Sequence, residues 1–298
     1  MKIIYGAGMT GKSILKHLQT TSLSHSEGEK HILFTDSDHK LWGTKVENIL
    51  VISPTEIKNY DYEEIIIGAA MGKEAIYKYL TQELNVEESK INSNSEYVES
   101  YFKCYETRAK FIKCFSDIAN ECHIEGAIAE GGVFEGRFSK ILSETFPDRK
   151  LYLFDTFEGF DARDVAYDQK NDYSLNIREG LYTPTKTINE IVNSLAHPEN
   201  AIIKKGYFPE TAKDVEDSFA FVNLDFDLYK PTIDGLRFFW PRMNKGGVIL
   251  IHDYFNAPGI IEEDRYLGIK AAAMEFCKEV GTVFIPIGDE MSIAFIKQ

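Results

Sequence analysis

Twice in this chain a short apolar strand runs straight into a glycine-rich loop and then a helix, and this arrangement restricts the fold more than any other feature. The first copy is Lys2–Tyr5 followed by Gly6-Ala7-Gly8-Met9-Thr10-Gly11, with Ile14, Leu15 and Leu18 at helical spacing over residues 12–19. The second is residues 127–129 followed by Glu130-Gly131-Gly132-Val133-Phe134-Glu135-Gly136, then a helix over Arg137–Thr145. A tight strand-to-helix turn draws on glycine because glycine adopts left-handed angles and admits close approach. Strands alternating with helices give parallel sheets covered on both faces. The likeness is one of architecture, not a sequence repeat.

Further strands are expected in the first half at residues 31–35, 45–52 (closed by Ser53-Pro54) and 64–67. A helix over 73–84 carries Ile76, Tyr77 and Leu80 on one face. Between about residues 92 and 122, Tyr101, Phe102, Tyr105, Ala109, Ile112, Phe115 and Ala119 recur every three or four residues, which predicts an amphipathic helix joining the halves. The second half continues with strands at 151–154, 201–204, 220–224, 247–251, 282–287 and 292–296, and a helix at 267–280. Residues 158–189 are polar, aperiodic and longer than an ordinary connection, the profile of a lid or binding loop. The class is α/β with two Rossmann-like domains, residues 1–92 and 123–298, joined by a helix over 93–122; 298 residues suffice for two cores.

Charge narrows the partners. With 33 Lys+Arg against 47 Asp+Glu the formal charge is −14, which disfavours nucleic acid and anionic membrane because both demand a basic footprint. The apolar runs are too short to span a bilayer, and no secretory h-region follows Met1. Cys104, Cys114, Cys122 and Cys277 form no CxxC pair. Reduced cysteines in a cytoplasmic protein are the expectation, with a small molecule as the partner; a homo-oligomer is compatible with all of this.

Gly6, Gly8 and Gly11 match GxGxxG, and Asp36 closes the next strand. Such a loop presents helix N-terminal amides to a pyrophosphate while the acid accepts from a ribose; equally, the glycines could serve packing alone. The second loop differs, because Glu130 and Glu135 would repel a phosphate but suit an ammonium or sulfonium. S-adenosylmethionine carries both groups and no phosphate. Asp155, followed by Thr156, ends the next strand, where it would accept ribose hydroxyls or merely cap a loop.

The densest chemistry is Phe221-Val222-Asn223-Leu224-Asp225-Phe226-Asp227, followed on the next strand by His252-Asp253-Tyr254. Two strand ends thus deliver Asp225, Asp227, His252 and Asp253 to one sheet edge, where open α/β folds bind ligands. Carboxylates with one imidazole suit Mg²⁺ or another divalent ion. Without metal, His252 would be a general base.

These residues resemble the macrocin-type (TylF/MycF) O-methyltransferases. The matching segments are GAIAEGGVFEGRFSKILSETFPDRKLYLFDTFEGF from Gly126, KGYFPET from Lys205, FVNLDFDLYKPT from Phe221, GGVILIHDYFNAPG from Gly246 and GIKAAAMEF from Gly268. The resemblance implies a class I methyltransferase fold with a mostly parallel seven-stranded sheet, and S-adenosylmethionine-dependent methyl transfer to a hydroxyl, often on a sugar. By position, Glu130, Gly131, Gly132 and Gly136 would line the methionine moiety, and Asp155 with Thr156 the ribose. Asp225 and Asp253 would be metal ligands, with Asp227 near metal or substrate. Metal-dependent members carry Asp-Asp-Tyr where this chain has His252-Asp253-Tyr254, so His252 stands as a substitute ligand or as the base.

The first half resembles Rossmann-like modules of bacterial polysaccharide and sugar-modifying proteins through YGAGMTGKSILKHL, FTDSDHKLWG, and VISPTEI followed by YEEIIIGA. Two rival classes follow from the residues. One is an NAD(P)-dependent sugar oxidoreductase working from the first loop, and the other a non-catalytic nucleotide- or S-adenosylmethionine-binding protein.

Overall fold

The apolar strands pair in two separate sheets. The computed structural model describes residues 1–22, 32–69, 72–93, 96–174, 176–255 and 266–298. His31 of the expected second strand and residues 256–259 of the GGVILIHDYFNAPG segment lie outside the described residues, as do the side chains of Tyr101 and Phe102. The chain divides into two compact units, with the boundary between Lys103 and Cys104.

The first unit contains β1 (Lys2–Tyr5), α1 (Met9–Ser22), β2 (Ile32–Thr35), β3 (Lys45–Val46), β4 (Ile49–Ile52), β5 (Glu64–Ile67), α2 (Lys73–Lys78) and β6 (Ile91–Asn92). Among the described residues the strand order is β3-β4-β2-β1-β5-β6, parallel except for β3. Alternate strand residues feed opposite cores, as the two-residue period requires. Ile3, Tyr5, Ile65 and Ile67 pack with Leu80 on one face, and Ile4, Phe34 and Ile66 with Ile14 and Leu15 on the other. Residues 45–52 are a hairpin, not one strand: Glu47 (φ 50°) and Asn48 (φ 62°) both take left-handed angles, the turn that matches strand twist. α2 ends early and continues as a π-type turn over Tyr79–Glu83. The two-residue β6 is too short to show a period.

A 26-residue helix, α3 (Glu96–Glu121), leads into the second unit. There follow β7 (Ala127–Gly131), α4 (Arg137–Thr145), β8 (Leu151–Asp155), α5 (Ala162–Lys170), α6 (Ile188–Asn193), β9 (Ala201–Lys205), β10 (Phe219–Leu224), α7 (Tyr229–Phe239), β11 (Met243–Ile251), α8 (Leu267–Val280), β12 (Phe284–Pro286) and β13 (Ile293–Ile296). The order among the described residues is β12-β13-β11-β10-β7-β8-β9, seven strands with only β13 antiparallel to its neighbours. The sheet is buried on both faces, so its strands read as apolar runs. Ile112, Phe115 and Ala119 of α3 share a core with Ile128, Leu153 and Phe221.

Two expectations change. Residues 158–189 hold α5 and the start of α6 instead of an aperiodic loop. The period of α5 is hidden because two of its buried positions are aspartates, Asp164 and Asp168. α7 was also not evident in the sequence, since it contains Pro231 and Gly235. Pro231 falls in its first turn, where a missing N–H costs nothing. A Cβ at Gly235 would press on Leu224 and Phe226.

Candidate active site at the carboxyl edge of the second sheet

From β7 the chain moves outward through β8 and β9, then crosses back to β10 and β11 on the other side of β7. The order reverses between β7 and β10, and open α/β sheets bind ligands at the carboxyl ends of the strands flanking such a reversal. The loop of residues 130–136 leaves β7 there, and Asp225 to Asp227 leave β10 beside it.

The loop glycines answer mainly to that neighbour. A Cβ on Gly131 would overlap the Phe226 ring, and one on Gly132 (φ 84°) the Asp225 carbonyl. Gly136 (φ 71°) is the left-handed N-cap of α4. Asp155 stands at the end of β8, next to the loop. Its Oδ2 accepts from the amides of Val133 (2.7 Å) and Phe134 (2.9 Å), and its Oδ1 from Phe157 (2.6 Å). Asp155 therefore sets the shape of the loop. Thr156 serves its own turn, donating to the Gly159 carbonyl at 2.6 Å.

The two loop glutamates part company. Glu135 accepts from the amide and hydroxyl of Thr185, both at 2.8 Å, and pairs with Lys186 at 3.0 Å. Glu130 turns into the core, 1% exposed, accepting from the Ser139 hydroxyl and from Asn223 Nδ2 at 3.5 Å. Burial pushes its carboxyl up to about 8. The unfolded chain releases this proton near 4.5, whereas the folded chain holds it to about 8, so this group's effect on stability declines as pH rises between those values. The slope approaches about 1.4 kcal/mol per pH unit for one proton. Glu130→Gln keeps the shape of the neutral form, so its melting temperature should exceed wild type at pH 8 and converge with it toward pH 4.5. Parallel pH–melting curves for the two proteins would contradict this.

The strand-end carboxylates do come together with the histidine. Single ligand atoms of Asp225, His252 and Asp253 all lie within 4.8 Å of one another, and His252 Nε2 is 3.2 Å from Asp253 Oδ1. Asp227 (φ 63°) and Asp253 (φ 56°) both adopt left-handed angles, which aspartate tolerates better than most residues. Burial, then the charges of Asp253 and Asp225, push the Asp227 carboxyl well above the usual range. Burial also raises Asp253, against the pull of His252 and Arg108. The hydrogen bond between the two carboxyls raises Asp227 and lowers Asp253.

Arg108, on α3, is the residue that sequence reading missed. Its Nη1 donates to Asp225 Oδ2 at 3.2 Å, its guanidinium lies 4.3 Å from the Phe138 ring centroid, and its buried Nε has no partner among the described residues. The available signal was an arginine on the buried face of an amphipathic helix, four residues before Ile112. Tyr182, from the 158–189 segment, stacks edge-on against Phe134 and Phe160, and its hydroxyl is 3.2 Å from that of Tyr266.

Gly6, Gly8, Gly11 and Asp36 belong to the other unit. There Asp36 Oδ2 accepts from Ala7 N at 2.8 Å, the counterpart of the Asp155 clamp. A Cβ on Gly11 would overlap the Gly6 carbonyl, whereas one on Gly8 would meet open space. The four cysteines are free, and no helix among the described residues is long and apolar enough to cross a membrane.

Each unit of the chain matches a known family. Residues 1–92 match the model of the C2185-like N-terminal family. A curated relative, the demethyldecarbamoylnovobiocin O-methyltransferase of Streptomyces niveus, is 23% identical over 157 residues. That alignment covers 49% of this chain and 59% of the relative, so the chain spans less than two thirds of the relative's length. The structure of the O-methyltransferase NovP is similar with a TM-score of 0.52 at 16% identity, over 77% of this chain and 99% of NovP. The calicheamicin methyltransferase CalS11 gives 0.51 at 15%, over 76% and 91%. At these identities the structural likeness establishes the fold. Residues 104–266, more than half of the sequence and including Asp155, Asp225, Asp227 and Asp253, match the macrocin-O-methyltransferase (TylF) model, and the chain belongs to that family.

Proposed function

We propose that this chain is an S-adenosylmethionine-dependent O-methyltransferase that acts on a hydroxyl of a sugar or glycan-related small molecule. The observation carrying this reading is the switch point between β7 and β10. It sets the glycine loop that Asp155 shapes beside a cluster of carboxylates and one imidazole. Among the relatives, the demethyldecarbamoylnovobiocin O-methyltransferase and a calicheamicin methyltransferase support a small-molecule acceptor.

The donor set also fits a divalent cation. Asp225 and Asp253 face one arginine, and the same two carboxylates with an imidazole lie at ligand spacing. Asp225, His252 and Asp253 would hold such an ion, which when bound lowers the pKa of a neighbouring hydroxyl. S-adenosylmethionine supplies a methyl group already activated by its positive sulfur, which leaves alignment and proton removal to the protein. Asp155 and the loop amides it orders would receive the nucleoside, with Thr156 beside them and Gly131, Gly132 and Gly136 setting the loop's course. Without the ion, His252 Nε2 would instead accept the hydroxyl proton; Tyr182, stacked on Phe134 of the loop, would cover the site.

Calorimetric titration with S-adenosylmethionine and with NAD, each with and without Mg²⁺, tests the reading. S-adenosylmethionine should bind. Asp155→Ala should weaken it about 10- to 100-fold, because a charged acceptor and the loop geometry are lost together. Absence of S-adenosylmethionine binding under both conditions overturns the proposal, and binding of NAD alone would favour the oxidoreductase.

A further inference from the structure

His252 has a second set of partners on the side away from the carboxylate cluster. Asp289 and Ser292 lie on the turn leading into β13, and all three residues are buried. Asp289 Oδ1 accepts from the amides of Met291 (3.0 Å) and Ser292 (2.7 Å), while its Oδ2 is 2.6 Å from Ser292 Oγ. Ser292 Oγ is in turn 3.0 Å from His252 Nδ1. The His252 backbone is held from the other side, its amide donating to Leu224 O at 3.0 Å.

A serine has one hydroxyl proton to give. The carboxylate is the nearer acceptor and the charged one, so the proton goes to Asp289. The Ser292 oxygen is left to accept, and the atom facing it is Nδ1. We propose that Asp289 and Ser292 are positioning residues that hold His252 in the Nδ1–H tautomer, so that the Nε2 lone pair is presented to Asp225 and Asp253. A neutral imidazole has only one N–H. Nε2 and Asp253 Oδ1, 3.2 Å apart, then face each other as two acceptors. Their contact becomes favourable when a cation lies between them, either a proton taken from a hydroxyl or a divalent ion. Both roles open to His252 therefore need the same tautomer.

Cys104, His252 and Asp289 also lie at metal-ligand spacing, yet the bonding there argues for a relay. Ser292 Oγ bridges His252 and Asp289, and the Asp289 carboxylate already has three donors besides the Cys104 thiol at 3.4 Å.

The kinetic consequence rests on the methyl-transfer reading, whereas the tautomer does not. The test is nitrogen NMR of the full chain labelled with ¹⁵N-histidine, with the His252 signals identified by their loss in His252→Asn. At a pH where His252 is neutral, Nδ1 should give the protonated, pyrrole-type signal and Nε2 the unprotonated one. Ser292→Ala should release the preference and Ser292→Thr, which keeps the hydroxyl, should retain it. In turnover, Ser292→Ala should lower kcat about 10- to 100-fold at similar KM, with recovery in Ser292→Thr. An Nε2–H tautomer in the wild type, or an Nδ1–H tautomer unchanged in folded Ser292→Ala, overturns the proposal. If the tautomers follow the expected pattern but no acceptor is methylated, the relay stands and the methyl-transfer reading fails.

Discussion

Replacing His252 with alanine should lower methyl transfer about 10²- to 10⁴-fold, while S-adenosylmethionine binds as it does to the wild type. His252 leaves β11 beside the strand-end acids of β10, whereas the loop and Asp155 that would receive the nucleoside belong to β7 and β8. The imidazole meets Asp253 through Nε2 and Ser292 through Nδ1. Removing it takes away the candidate proton acceptor without touching the loop. An aliphatic hydroxyl is a poor nucleophile at neutral pH, so the loss should appear in kcat. Steady-state kinetics paired with calorimetry on the same preparation separate the two effects. Unchanged turnover would remove His252 from the mechanism, and lost cofactor affinity would move it to the binding site.

The second large effect is on stability. Arg108 is buried, stacked on Phe138 and bonded to Asp225, and its charge is felt by both Asp225 and Asp253. Removing one partner of a buried ion pair costs about 3–5 kcal/mol because the other charge is left uncompensated. In a unit of this size that is a fall in melting temperature of roughly 6–20 °C. Arg108→Ala should show it, and Mg²⁺ should restore part of the loss if the acids hold a divalent ion. Lysine should substitute poorly, since its point charge lacks the planar face that lies on Phe138. A thermal melt of Arg108→Ala within a degree or two of wild type would mean that the pair contributes nothing net.

Both effects turn on contacts that differ in how visible they were beforehand. The strands of the second unit were legible because a parallel sheet buried on both faces leaves uninterrupted apolar runs, such as Phe219–Leu224, that end in polar residues at the sheet edge. The acids of the candidate site were legible for the same reason. Asp225, Asp227, His252 and Asp253 follow directly on such runs, and register alone carries two neighbouring strand ends to one place.

α5 and α7 were not legible. The period of α5 is broken by Asp164 and Asp168, which are buried because other segments supply donors. The Tyr207 hydroxyl bonds Asp164 at 2.8 Å, and the Tyr229 amide, in the first turn of α7, bonds Asp168 at 3.2 Å. These partners are dozens of residues away and leave no local trace. Arg108 and Asp225 are likewise distant in sequence, as are His252 and Ser292.

The sequence by itself determined two α/β halves, each entered through a glycine loop, and the set of strand-end residues that carry the candidate chemistry, because both follow from local period and turn geometry. Only the tertiary structure decided that Glu130 turns into the core with its carboxyl pushed up to about 8, that Asp155 shapes the loop, that Arg108 pairs with Asp225, and that Ser292 and Asp289 stand behind His252. Charge state and tautomer are set by burial and by partners brought from far along the chain, and no short-range pattern encodes either.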